Sequence, residues 1–315
     1  MPAITSPSPL DPAVQAVVAR VPLWSGAQQI HVAPLQDGVI SLNNANYRVV
    51  LEGADYVLRI AADTAGLLGV RREEEREAAT AAAQAGLSPE VLFFDPQHGH
   101  MVTPFIQGRH WRPEEFRDQT NIARLAQTLR QLHAIKQVQS QGSVFGRVER
   151  LLDSAQALDV PLPDNLDVHR DRLRQLDERR RADTHFDPGL SHNDLWANNF
   201  LDDGQRLWLL DWEFGGGNAD GLYDLATVAL AGQYTPEQQA SLLDRYYSSD
   251  TDPTDRHDRQ GFLQDALHWL QAMKYAVRFF EACWALVQHG LRGSSGFDYL
   301  GYAQRTLEAI TREDQ

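Results

Sequence analysis

The first third of the chain alternates hydrophobic and polar residues, a pattern typical of strands with one buried face. These segments read, in order, IHVAPL, NYRVVLE, DYVLRIA, EVLFFD and GHMVTPFI. The segment VRREEEREAATAAAQAGL is rich in Ala and Glu instead and favours a helix that ends at Gly86. The pattern predicts a sheet of about five strands with one crossing helix, preceded by a tail and a short helix.

From residue 107 onwards, hydrophobic residues recur every three or four positions, which is typical of helices. Leu125, Leu129 and Leu132 form one such stripe. Two short strand-like segments, NNFLD and RLWLLDW, interrupt the helices near residue 200. We therefore expect a mixed α+β protein with a small β-rich lobe at residues 1–106 and a large, mostly helical lobe at residues 107–315.

Composition narrows the function classes. No run approaches the roughly 20 apolar residues of a membrane-spanning helix, and the start, MPAITSPSPLDP, does not resemble a secretory signal. Cys283 is the one cysteine, which excludes an internal disulfide and favours a cytoplasmic location. The net charge of −14 would repel nucleic acid and weakly attract cationic ligands, although solubility alone also explains it. We expect no nucleic-acid or membrane partner; the oligomeric state stays open.

Two adjoining segments, SHNDLWANNF and LWLLDWEF, carry the candidate chemistry. Asp194 is a loop carboxylate near an amide, which suits proton abstraction from a hydroxyl. Asn199 and Asp211 offer hard oxygen ligands, which Mg²⁺ binds together with substrate phosphates. A base, an amide and a metal-binding carboxylate are the components of phosphoryl transfer. The alternative interpretation is a capped turn with a ladder of asparagines.

The two segments resemble the aminoglycoside phosphotransferase and choline kinase superfamily, in which H-x-D-x-x-x-x-N precedes a second aspartate segment. The resemblance implies a bilobal, protein-kinase-like α+β fold. It makes Asp194 the catalytic base, and it makes Asn199 and Asp211 the Mg²⁺ ligands. His192 belongs to the same catalytic motif and would brace its loop, and Asp224 would steady the helical lobe.

The strand DYVLRIA places Arg59 where protein kinases have a phosphate-binding lysine, and it resembles the choline kinase branch in this respect. Arginine binds phosphate bidentately, so the exchange is chemically reasonable. The acidic partner on the crossing helix is predicted to be Glu75, with Glu74 as the alternative because REEERE leaves the register open. The same charged run could also be a solvated helix face.

Two further segments are candidates for the nucleotide. The loop LQDGVISLNNANY lies where a phosphate-covering loop belongs, and Ser41 and Asn43 are predicted to contact phosphate there. The segment MVTPFIQG would link the lobes and bind adenine through its backbone. Pro104 would offer its carbonyl and Ile106 its N–H, since proline cannot donate. An ordinary edge strand is the alternative for this segment.

The C-terminal segment resembles the end of choline and ethanolamine kinases, where aromatic residues enclose an ammonium group by cation–π attraction. Trp284 matches one such tryptophan, and Glu281 stands where a second is common. A carboxylate at that position could bind a primary amine or a smaller cation. Tyr275 and Tyr299 are further candidates for this substrate site. We predict that Trp269, Met273 and Phe280 form a buried core stripe at helical spacing, and a place in that stripe is the alternative interpretation for Trp284.

The sequence thus predicts a kinase that transfers the γ-phosphoryl group of ATP, with Mg²⁺, to a hydroxyl of a small cationic alcohol, with choline or ethanolamine favoured. The alternatives are an aminoglycoside or thiamine kinase of the same superfamily, or a non-catalytic nucleotide-binding member. The turn at His98 to His100 is predicted to be exposed, and no Cys/His cluster has zinc-ligand spacing.

Overall fold

The computed structural model describes residues 3–6, 10–35, 44–138, 144–248, 256–293 and 296–312. The N-terminal region forms a sheet of six strands with the order β1-β2-β3-β4-β6-β5. Its strands are β1 (Ala3–Thr5), β2 (Gln29–Pro34), β3 (Asn44–Leu51), β4 (Ala54–Ala61), β5 (Phe93–Phe94) and β6 (Met101–Pro104). The pairing of β1 with β2 is parallel and the others are antiparallel. The sequence had predicted a tail where β1 lies.

Two helices accompany this sheet and contribute to different cores. Helix α1 (Pro12–Val18) buries its valines in a cluster with sheet residues such as Ile30 and Leu58. Helix α2 (Arg72–Gln84) buries Ala78 and neighbouring alanines in a second cluster, which is built mainly from the helical region. The crossing helix is therefore fixed to the helical side of the molecule, while Arg59 belongs to the sheet.

The C-terminal region is mostly helical. Its helices are α3 (Gln119–His133), α4 (Val144–Ala157), α5 (Leu166–Arg181), α6 (Gly221–Ala231), α7 (Pro236–Tyr247), α8 (Arg256–Arg292) and α9 (Tyr299–Arg312). Helices α4, α6 and α9 pack along α8. The leucine stripe of α3 at Leu125, Leu129 and Leu132 is fully buried, as predicted.

Short strands hold the loops between these helices. They are β7 (Arg109–His110), β8 (Gly189–Ser191), β9 (Phe200–Asp202), β10 (Leu207–Leu209) and β11 (Gly216–Ala219). Strands β10, β9 and β7 form one small sheet, and β8 pairs with β11. The loop 192–199 therefore runs between two small sheets, and Asp211 follows β10 directly.

The mixed α+β class, with a β-sheet N-terminal region and a helical C-terminal region, is confirmed. The lobe boundary after residue 106 stays a prediction. Within the described residues, we find no helix with the length and apolar character required to cross a bilayer. The predicted exposed turn is wrong at one residue: the His98 side chain is one-third exposed, but His100 is buried. His100 is buried because β5 and β6 pair directly beside the turn.

Candidate active site

Asp194 and Asn199 are in contact within the loop 192–199. The Asn199 side-chain amide donates to the Asp194 Oδ2 at 2.8 Å and to the Asp194 carbonyl at 2.6 Å. Asp194 is half-buried and Asn199 is buried. Burial, followed by repulsion from Asp211 and Glu213, raises the pKa of Asp194 well above its usual value. The structure thus brings the predicted base and the predicted metal ligands to one place.

Asp224 stabilises this loop by accepting hydrogen bonds from its backbone. Its carboxylate accepts the backbone N–H of His192 at 2.8 Å and that of Asn193 at 2.7 Å, and it also contacts His133 Nε2 at 3.1 Å. Asn193 has a φ of 66°, which turns both amides toward one acceptor. Burial alone would raise the pKa of Asp224, but the hydrogen bonds from the His133 side chain and the His192 backbone N–H help to hold it below its usual value. The buried carboxylate is therefore ionised and fixes the loop.

His192 is fully buried and lies behind the site. Its Nε2 donates to the Leu210 carbonyl at 2.8 Å, and its ring packs on Trp212 at a centroid distance of 4.5 Å. Burial lowers its pKa, so the ring is neutral. His192 lines neither of the two cavities described below. This position agrees with the expectation that His192 braces its loop. Its hydrogen bond also links the loop to Leu210, the residue directly before Asp211.

A third acidic residue, Glu213, joins Asp211 at the site. The Asn44 side-chain amide lies 3.2 Å from Glu213 Oε2 and 3.4 Å from both Asp211 carboxylate oxygens. Glu213 is 5% exposed. The sequence analysis missed Glu213, although the signal was present: in DWEF it stands two positions after Asp211, in the turn that follows β10.

Arg59 is the buried cation of the cleft. It pairs with Glu75, with Asp211 at 2.9 Å, and with the Gly99 carbonyl at 3.0 Å. Glu75 is fully buried, whereas Glu74 pairs with Arg71 near the surface. Of the two predicted alternatives, Glu75 is thus the one in contact. Burial would lower the Arg59 pKa, but the surrounding carboxylates raise it above its usual value.

A cavity of about 820 Å³ lies between the sheet and the helical region. Arg59, Pro104, Ile106 and Asp211 are among its lining residues. The backbone N–H between the two predicted adenine-binding residues, that of Phe105, is already bound to the Asp55 carbonyl at 2.9 Å. The predicted phosphate contacts Ser41 and Asn43 lie outside the described residues.

A second cavity of about 320 Å³ lies on the helical side. Its lining residues are Asn193, Asp194, Trp196, Asn198, Asp211, Glu213, Phe214, Tyr223, Thr227, Val277, Phe280, Glu281 and Trp284. Burial raises the pKa of Glu281 to about 7, partly opposed by a hydrogen bond with Tyr302 and by the charge of Arg278. The cavity therefore combines carboxylates with several aromatic walls. Trp196 and Tyr223 were not predicted here.

Two predicted substrate residues, Tyr275 and Tyr299, are not among the lining residues of this cavity. Tyr275 is nine residues from Trp284, so at about 100° per residue it lies on the opposite face of α8. There its hydroxyl contacts His169 Nδ1 at 3.0 Å. Tyr299 packs edge-on behind Trp284 at 5.9 Å. Phe280, predicted as core, is buried and also lines the cavity.

Comparison with known proteins agrees with this geometry. The sequence profile APH, described as a phosphotransferase enzyme family, matches residues 34–284. The chain belongs to this phosphotransferase family. The predicted class, an enzyme that transfers a phosphoryl group, is thereby confirmed, as is the resemblance on which it rested.

Relatives of this phosphotransferase include the protein LicA of Haemophilus influenzae, 25% identical over 276 residues, which are 85% of this chain and 76% of LicA. A choline/ethanolamine kinase family protein from Mesorhizobium loti has a TM-score of 0.70 and 27% identity, covering 95% of this chain and 93% of that one. The choline kinase LicA from Streptococcus pneumoniae has a TM-score of 0.67 and 20% identity, covering 96% of this chain and 100% of that one. A LicA structure in complex with AMP has a TM-score of 0.66 and 20% identity, covering 95% of this chain and 96% of that one. The kinase-like fold is confirmed.

The donor set of this phosphotransferase fits a hard divalent cation. Asp211, Glu213 and Asn199 offer carboxylate and amide oxygens, which Mg²⁺ prefers to nitrogen or sulfur ligands. The carboxylates of Asp194, Asp211 and Glu213 repel one another, and this repulsion adds to burial in raising the pKa of Asp194. A bound cation would relieve this repulsion, so the charge of the site and its ligand chemistry agree.

Proposed function

We propose that the chain is an ATP-dependent kinase that phosphorylates the hydroxyl of a small cationic alcohol, with choline or ethanolamine as the favoured substrate. The observation that carries this proposal is that the two cavities meet: Asp211 and Asn198 line both of them. A nucleotide in the larger cavity and an alcohol in the smaller one would therefore approach each other beside Asp194.

On the nucleotide side, Arg59 would bind the phosphates. Arg59 forms ion pairs with Glu75 and Asp211. When a nucleotide binds, its phosphate oxygens would replace Asp211 as the second partner of Arg59. Pro104 and Ile106 remain the proposed adenine contacts, because the Phe105 N–H between them is bound to the sheet. The AMP complex of a LicA relative supports a nucleotide in a fold of this kind.

On the acceptor side, Glu281 and the aromatic walls would bind the cation. Glu281 lies one turn before Trp284 on α8, and Phe280 and Val277 share that face of the helix. Trp196, from the loop 192–199, contributes a further aromatic side chain to the lining of this cavity. Aromatic faces with a carboxylate are the chemistry that recognises ammonium groups. The names of the choline and ethanolamine kinase relatives agree with that ligand class.

In the proposed reaction, the acceptor hydroxyl lies against Asp194 Oδ2, which takes its proton as the oxygen bonds to the γ-phosphorus. The bond from that phosphorus to the β–γ bridging oxygen breaks, and ADP leaves with the electron pair. Asn199 orients Asp194 through its amide. Mg²⁺, held by Asp211, Asn199 and Glu213, would neutralise charge on the phosphates.

The test of the base is Asp194→Asn. We expect kcat to fall about 10²- to 10⁴-fold, the usual contribution of a positioned base, while binding of ADP is retained. Coupled ADP release measures the first quantity and calorimetry the second. Undiminished turnover in this variant would contradict the proposed role.

The test of the acceptor is a substrate panel of choline, ethanolamine, thiamine and aminoglycosides, read by ADP release. Preference for ethanolamine over choline would support direct hydrogen bonding by Glu281, since only a primary ammonium donates N–H groups. Turnover of aminoglycosides alone would overturn the proposed substrate class. Nucleotide binding without transfer to any alcohol would favour the non-catalytic alternative.

A further inference from the structure

The turn between β5 and β6 gathers two histidines and an aspartate, none of which lines either cavity. One ligand atom each from Asp95, His98 and His100 lies within 4.8 Å of the others. We propose that this turn is a binding site for a late first-row transition metal ion of the Zn²⁺ type, separate from the Mg²⁺ ligands of the active site. The sequence DPQHGH conceals it because the third ligand is a carboxylate rather than a Cys or His.

The distances suit zinc. A tetrahedral Zn²⁺ with bonds of about 2.0–2.1 Å places its ligand atoms roughly 3.3 Å apart. His98 Nδ1 already lies 2.9 Å from Asp95 Oδ2, and the two imidazole centroids are 5.4 Å apart. The three ligand atoms lie within 4.8 Å of one another, so side-chain rotations that bring the farthest pair up to about 1.5 Å closer would complete three ligands, with a fourth position left for water.

The ligand atoms are also suitably oriented. Asp95 Oδ1 accepts the backbone N–H groups of Gln97 and His98, at 2.9 and 3.2 Å, so the carboxylate is fixed with Oδ2 toward His98. The Ala61 N–H lies 3.3 Å from His100 Nδ1, a long and weak contact that marks a lone pair on that nitrogen. A metal ion bound there would replace this contact.

The turn is also held in place. Gly99 has a φ of 79°, and its carbonyl accepts a hydrogen bond from the Arg59 guanidinium at 3.0 Å. A side chain at Gly99 would collide with Arg72, whose charge is balanced by Glu75 at 2.7 Å. The proposed ligands therefore stand on a turn packed against the Arg59–Glu75 pair. Nitrogen ligands distinguish this site from the all-oxygen set that Mg²⁺ prefers.

The test is titration of the untagged protein with Zn²⁺ against a chromophoric chelator, in excess Mg²⁺. We expect one Zn²⁺ to bind outside the active site, and His98→Asn to weaken that binding at least tenfold, as loss of one of three ligands predicts. His98 is one-third exposed, so the variant should fold, as a thermal melt will check. Replacement of an exposed histidine of the same sheet, His31→Asn, should leave the affinity unchanged.

Asp211→Asn separates this site from the active site. The variant should keep the Zn²⁺ site, and Co²⁺ in its place should give the visible absorption of a tetrahedral ion, lost in His98→Asn. Equal Zn²⁺ affinity in the wild type and His98→Asn would overturn the proposal. Loss of the bound ion in Asp211→Asn but not in His98→Asn would overturn it as well, because the ion would then belong to the active site.

Discussion

Charge is unevenly balanced among the residues of the cleft. Arg59 pairs with Glu75 and Asp211, and Arg72 also pairs with Glu75, so two guanidinium groups serve these two carboxylates. Asp194 and Glu213 lie close to Asp211, and after burial their mutual repulsion with Asp211 is what raises the pKa of Asp194. A bound cation would therefore make this arrangement more favourable. The proposed Mg²⁺ and an ammonium group in the smaller cavity would both supply one.

Glu281 gives the first prediction at the scale of a residue. Its pKa is raised from 4.5 to about 7 by burial, so it is neutral in acid and charged in alkali. Because the charged form attracts the cation, KM for the cationic alcohol should rise up to about tenfold as the pH falls from about 8 to about 6. KM for ATP over the same range is the control. Glu281→Gln should raise KM at high pH and remove this dependence; a pH profile unchanged by the substitution would contradict the assignment.

The acidic pair on α2 offers a matched comparison. Glu75→Gln removes the buried partner of Arg59, so kcat/KM for ATP should fall at least about tenfold because the cation loses its orientation. Glu74→Gln changes a neighbouring surface ion pair with Arg71, and activity should change less than about twofold. Steady-state kinetics and thermal melts of both variants provide the measurement. Equal losses of kcat/KM for ATP in the two variants would mean that the buried Arg59–Glu75 pair contributes no more to activity than the surface pair.

At the scale of secondary-structure elements, close backbone contact sets the position of the loop 192–199, which carries the proposed base. Strand β8 leads directly into that loop and lies against the end of α3, where the Leu190 N–H donates to the Ile135 carbonyl at 2.9 Å. A Cβ placed on Gly189 would lie 2.0 Å from the His133 carbonyl oxygen. Only glycine permits this approach, and His133 in turn contacts Asp224.

Gly189→Ala should therefore lower the free energy of unfolding by more than about 2 kcal/mol, since backbone on both sides must shift. It should also lower kcat, because the loop that carries Asp194 begins three residues later. Gly66→Ala is the matched control, because a Cβ there meets nothing within 4 Å. Urea unfolding of both variants gives the comparison. Equal stability of the two would show that the contact relaxes without cost.

Local patterns predicted the parts of the site that are close in sequence. Asp194, Asn199 and Asp211 stand within one short stretch of strands and loops, and their residue types together with the family resemblance predicted that they meet. The errors concern relations across the fold. Tyr275 was assigned to the substrate site although its helical register places it opposite Trp284. Trp196 and His100 depend on which elements pack against their loops, and a single sequence does not specify that packing.

At the scale of the whole molecule, the active site joins two hydrophobic cores. The sheet and α1 form one core, and α2 contributes its alanines to the other. Arg59 therefore extends from one core and Glu75 from the other, and their ion pair crosses the cleft. Asp211 belongs to the helical side and also contacts Arg59. A nucleotide bound in the larger cavity would touch both sides and should hold them together.

The last prediction follows from this bridging. ADP with Mg²⁺ should stabilise the protein against heat, by about 2.7 kcal/mol at a ligand concentration of 100 times its Kd, because it binds only the folded state. Removal of Mg²⁺ by a chelator should reduce the stabilisation, and Asp211→Asn should abolish the part that depends on Mg²⁺. Asp187→Asn, which changes an exposed ion pair with Lys136, is the control. Thermal melts across ligand concentrations measure the effect. If ADP stabilised the wild type equally with and without Mg²⁺, Asp211 would have no part in holding the metal, and the cleft carboxylates would need another explanation.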